Sequence, residues 1–92
     1  MNNNDTLIKN ANIQQIADEG SKIYEQIKTR YEPAQNGKFL AIDIESKEVF
    51  LADTSSEAVE HARMSHPNRI FYVVKIGFTA AEILAHAGQR HV

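Results

Sequence analysis

Cysteine and tryptophan are both absent from the 92 residues. Without cysteine there is no disulfide framework, no thiolate nucleophile and no Cys-based zinc site. Proline occurs twice and glycine four times, which excludes a collagen-like chain. The glycines stand singly at positions 20, 37, 77 and 88, so no Gly-rich loop can cradle a phosphate. Neither sign of charge prevails. Ten basic against twelve acidic residues leave a net charge of −2, whereas a dedicated nucleic-acid binder carries a basic excess for phosphate contacts. Long apolar runs are missing too: the longest, Ile70 to Val74, spans five residues, too few to cross a bilayer. The opening residues Met1 to Asp5 have neither the positive charge nor the apolar stretch of a signal peptide, so a cytoplasmic location is expected.

What remains is an ordinary globular composition, 42% hydrophobic and 24% charged. It excludes full-length disorder and a coiled-coil rod. The length allows a single domain over 1–92. Its one modest core would bury roughly 60–65% of the unfolded surface.

Residues 1–5 read as a disordered tail. Over 12–32 the spacing predicts a helix. Ile13, Ile16, Gly20, Ile23, Ile27 and Tyr31 recur at three and four residues, one narrow stripe. Asn10 or Asn12 can cap it, and Pro33 stops it. Segments 38–45 and 48–53 read as two strands joined at Ser46-Lys47, with Ile44 facing Val49 and Ile42 facing Leu51. Thr54 and Glu57 form a capping box that opens a short helix to about Ser65, ended by Pro67. Arg69 to Phe78 is the strongest strand pattern in the chain. Thr79 and Glu82 predict a second capping box and a C-terminal helix through Ala87, closed by Gly88, with a tail to 92. The expected fold class is α+β, in the order α-β-β-α-β-α. It has a ββαβ core over 38–78, a mainly antiparallel three-stranded sheet of order 2-1-3, and a long N-terminal helix.

The sheet so drawn is apolar on both faces. Leu40, Ile42, Ile44, Val49, Leu51, Ile70, Tyr72, Val74 and Ile76 fall on one; Phe39, Ala41, Phe50, Ala52, Phe71 and Val73 fall on the other. Simple alternation would leave one face polar. Leaving the phenylalanines in water would forgo roughly 1.5–3 kcal/mol each. The short helix can cover one face only, so the N-terminal helix, the C-terminal helix or a second chain must cover the other. A helix over 13–31 is roughly 28 Å long against a sheet about 15 Å across. An overhanging helix with a narrow stripe predicts a homodimer, with Ile13, Ile16, Ile23, Ile27 and Tyr31 for association and Phe39, Phe50 and Phe71 as the covered sheet face.

The candidate chemistry is thin. His61 and His66, and His86 and His91, are five apart; on a helix this turns each pair away from a shared metal. Asp43, Glu45 and Asp53 do not converge in the predicted register. Ser55 and Ser56 lie in a capping turn, and the sequence places no histidine beside them. No catalytic residue, cofactor or metal is expected. Phe39, Phe50 and Phe71, with Lys75 nearby, could stack bases as an RNA-recognition sheet does, but 69–73 lacks that signature's glycines. A helix-covered face is the simpler reading, and nucleic acid is the alternative partner.

Gly37-Lys38-Phe39-Leu40-Ala41-Ile42, then Asp53-Thr54-Ser55-Ser56-Glu57-Ala58, then Ala62-Arg63, Pro67 and Phe71-Tyr72-Val73-Val74-Lys75-Ile76-Gly77 together make a pattern over about 31–78. It resembles a family of small bacterial domains of unknown function. Their core reads Gly-Lys-aromatic-x-Ala-Ile, a hairpin, Asp-Ser/Thr-x-x-Glu-Ala, a short helix ending at proline, and an apolar strand. A weaker likeness is to the antitoxin half of the Hic toxin–antitoxin pairs, although no helix-turn-helix or ribbon-helix-helix tail is present. The resemblance implies a non-enzymatic protein-interaction module, antitoxin-like or the partner of a small aspartic-protease-like protein.

Overall fold

The structure is a computed structural model that describes residues 13–78 and 81–84. Helix α1 (Ile13–Ile27) runs into a 3-10 turn (Lys28–Arg30). Strand β1 (Phe39–Ile42), strand β2 (Val49–Ala52), helix α2 (Ser55–Ser65), strand β3 (Phe71–Lys75) and strand β4 (Ala81–Leu84) follow. All strand pairs are antiparallel, in the order β2-β1-β3-β4. The α+β class and the 2-1-3 core are therefore as the pattern predicts. The tail 1–5, the Asn10/Asn12 cap, Thr79, Gly88, His86, His91 and the stretch from 85 onward lie outside the described residues.

The C-terminal helix is corrected. Residues 81–84 form a strand, Phe71 facing Leu84 and Val74 facing Ala81. So short a segment gains little from helix formation alone. On β3 it pairs an outer row of N–H and C=O groups that would otherwise lack partners.

The hairpin register is also corrected. Ile42 faces Val49 and Leu40 faces Leu51, a slide of two residues from the predicted pairing. The chain leaves the sheet at Asp43. Lys47, at φ 68°, donates its N–H to the Asp43 carbonyl at 2.7 Å, so the connection is a six-residue loop, 43–48, in place of a tight turn. A slide of two preserves the face of every side chain, which is why the hydrophobic pattern accommodates both registers.

The two faces sort as expected, and the chain covers each with its own helix. Beneath α2, Phe71 and Val73 pack with Ala41, Ala58, Val59 and Ala62, flanked by Phe39, Phe50 and Ala52. Thr54 caps this helix by accepting the Glu57 N–H at 3.1 Å. Beneath α1, Ile23 and Tyr24 pack with Leu40, Ile42, Val74 and Ile76.

Gly20 lets α1 seat directly on β3. A Cβ there would lie 2.2 Å from Tyr72 Cγ and 2.6 Å from Tyr72 Cβ. These are the base of the ring, not a movable tip. Gly20→Ala gains about 1 kcal/mol of helix propensity, but forcing the helix off the strand costs more. A net loss of about 1–2 kcal/mol is expected in urea unfolding. A stabilised variant would mean that the close approach does not hold the helix.

Candidate functional site

The residues expected at an association seam are spent largely inside the protomer. Ile16 and Ile23 are buried, Ile27 and Tyr31 are half-buried against the sheet, and only Ile13, 41% exposed, faces outward. Phe71 is fully buried, and Phe39 and Phe50 are half-buried under α2. The base-stacking arrangement would need that same face, and α2 lies on it.

Three features remain open to a partner or ligand. The first is the edge formed by β2. Its four residues, Val49-Phe50-Leu51-Ala52, are all apolar, yet none is fully buried, and Leu51 is 38% exposed. Helix α1 approaches β3 and β4 most closely, and of β2 only Val49 packs at the margin of the cluster beneath it. Nothing pairs with the outer side of β2 among the described residues. The Asp43 N–H bond to the Glu48 carbonyl (3.0 Å) sets the alternation of the ladder. Phe50 and Ala52 direct their main-chain groups to β1, and Val49 and Leu51 direct theirs outward. Sheet edges are normally blunted by charge, proline or a bulge, and β2 carries none of these within its span.

The second feature is a polar cluster at one end of the sheet. Asp43 is 1% exposed. Arg69 Nη1 donates to both of its oxygens, at 2.9 and 2.6 Å, and Ser46 Oγ donates at 2.9 Å. His66, just past α2, sets Nδ1 3.5 Å from Asp43 Oδ2 and Nε2 against Glu48. The His66 ring meets Phe50 edge-on at 6.1 Å. Acid, imidazole and hydroxyl thus lie together, but the wiring is that of a clamp. Ser46 gives its proton to Asp43 and stands 3.4 Å from His66 Nε2, whose near partner is Glu48. The cluster ties the 43–48 loop to the end of α2 and the start of β3. Of the carboxylates Asp43, Glu45 and Asp53, Glu45 also reaches this corner, 3.4 Å from Arg69 Nη1; the sequence set His66 only beside His61 and did not join it or Arg69 to Asp43. The one available signal was the β1–β3 pairing: continued past Ile42–Tyr72, it sets Phe71 opposite Asp43 and Arg69 opposite Glu45, on one face and within diagonal reach of Asp43. Asp53 lies apart, 3.7 Å from Lys38.

The third is a cavity of about 330 Å3 between α1 and β3, walled by Tyr24, Tyr72, Phe78, Glu25 and Glu32. Tyr24 donates its hydroxyl proton to Glu32 and accepts the Gly77 N–H at 3.3 Å. Burial, then the Glu32 bond, pushes Tyr24 up to about 12, so it stays a neutral donor. Burial raises Tyr72 as well. Gly77 bends the chain here at φ 86°, where an added Cβ would meet Asn36 at 2.5 Å. The described residues bring no three His, Asp or Glu side chains together as metal ligands, and no described helix is long and apolar enough to cross a membrane. Compared with protein-family models, curated proteins and solved structures, the chain matches none.

Proposed function

We propose that this chain is a non-enzymatic, cytoplasmic protein-interaction module that self-associates as a homodimer through the open edge of β2. The observation that carries this reading is an all-apolar edge strand whose Leu51 is 38% exposed. The association seam thereby moves from the α1 stripe, which is occupied within the chain, to β2.

A second copy fits this edge on two grounds. Only Val49 and Leu51 turn their main-chain groups outward, so a two-fold antiparallel pairing must join odd-numbered residues to odd-numbered residues. The pairing that sets Val49 against the partner's Leu51 centres on Phe50. It leaves hydrophobic side chains together on both faces and brings Lys47 opposite the partner's Asp53, opposite charges at both ends of the seam. A dimer built in this way leaves the rest of each protomer for a further protein, in keeping with the antitoxin-like resemblance.

Sedimentation or light scattering tests the reading. The wild-type chain is expected to be a dimer at micromolar concentration. Leu51→Lys should give a folded monomer, since the side chain is exposed and its replacement leaves the core intact. Lys47→Glu should weaken the dimer, and adding Asp53→Lys should restore it. A wild-type monomer, or a dimer indifferent to Leu51→Lys, would overturn the proposal.

A further inference from the structure

We infer that the cavity between α1 and β3 is a binding site for a small organic cation, an alkylammonium held by Glu32 against the rings of Tyr24, Tyr72 and Phe78.

Cavities of this size, about 330 Å3, fall at the lower end of ligand pockets, which combine apolar walls with a few placed polar groups. Here the lining is more polar than apolar; its apolar part comes mainly from the rings of Tyr24, Tyr72 and Phe78, and its charged groups are Glu25, Glu32 and Lys28. Aromatic faces attract cations through their ring quadrupole. Phe78 already does so on this protein: Lys75 Nζ stands 4.4 Å from its ring centre, while the ring, 53% exposed, also lines the cavity.

The charges are unevenly matched. Lys28, the one cation in the lining, is held by Glu25 at 3.0 Å. Glu32 has no ion pair among the described residues. One of its oxygens accepts from Tyr24, and the other has no hydrogen bond among the described residues. Glu32 is only half-exposed, so its charge is incompletely hydrated and gains from a cation beside it. An ammonium could bond the free oxygen while its alkyl stem lies on the aromatic wall. An anion would meet Glu32 and Glu25 unfavourably, and a neutral alcohol would forgo both the carboxylate and the ring attraction. The site shares no residue with the β2 edge, so it stands whether or not the chain dimerises.

The test is a titration with n-butylammonium, followed through the NMR signals of Tyr24, Tyr72, Gly77 and Phe78, with n-butanol and butyrate as controls. Saturable shifts confined to these residues are expected with the ammonium alone. Glu32→Gln should weaken binding at least about fivefold. That change also alters the Tyr24 bond, so Phe78→Ala provides an independent check. Phe78 is exposed, the variant should melt with the wild type, and binding should weaken about two- to fivefold. Absence of saturable binding, equal binding of n-butanol, or unchanged affinity in Glu32→Gln or Phe78→Ala would overturn the assignment.

Discussion

Arg69→Ala is expected to lower the unfolding free energy by about 3 kcal/mol, the lower end of the range for breaking a buried ion pair. Asp43 is 1% exposed, so its carboxylate has no access to water once the guanidinium is removed. Ser46 and His66 remain within reach, and Arg69 is itself a third exposed (32%). Both facts hold the effect at the low end. The loss comes from the stranded charge more than from the missing bond, and this gives a second, sharper expectation. Asp43→Asn placed on Arg69→Ala should recover part of the loss, because it removes the uncompensated charge. Urea unfolding of the two single variants and the double variant forms the cycle. A double variant less stable than Arg69→Ala would show that the pair is not what holds this corner.

Phe71→Ala carries a similar cost, about 3–5 kcal/mol, for an unrelated reason. Phe71 is fully buried, and its surroundings under α2 are small: Ala41, Ala58 and Ala62, with Val59 and Val73 beside them. None can reach into the vacated volume, so the cavity stays open and its walls lose their contacts. Phe39 and Phe50, half-buried at the margin of the same cluster, should cost roughly half as much when cut to alanine. Denaturant unfolding of the three variants compares them directly. Equal losses would mean that α2 does not close this face around Phe71.

These two expectations depend on features of different legibility. The Phe71 face was readable in advance. Phe39, Ala41, Phe71 and Val73 alternate along their strands, the hairpin sets Phe50 on the same face, and the small residues of α2 announce a helix that can lie close on a sheet. The Asp43 clamp was not. Asp43 and Arg69 stand 26 positions apart, and nothing in local composition joins them. Their meeting depends on the β1–β3 pairing and on the chain leaving the sheet at 43. The sequence left three covers open for the second face, the N-terminal helix, the C-terminal helix or a second chain; the stripe of α1 packs largely on the protomer's own sheet, with Gly20 opening the way onto Tyr72.

By itself, the sequence determined the α-β-β-α-β order through β3, the antiparallel 2-1-3 core, the Thr54 helix start and the sorting of side chains to two apolar faces. These follow from periodicity and capping, which act over a few residues. The tertiary structure alone decided which helix covers which face, the hairpin register, the pairing of residues 81–84 with β3, and the gathering of Asp43, Ser46, His66 and Arg69. A slide of two residues changes no side chain's face, and a short segment's helix propensity is weak beside an unpaired strand edge. In each case the balance is struck by hydrogen bonds and charges supplied from elsewhere in the chain.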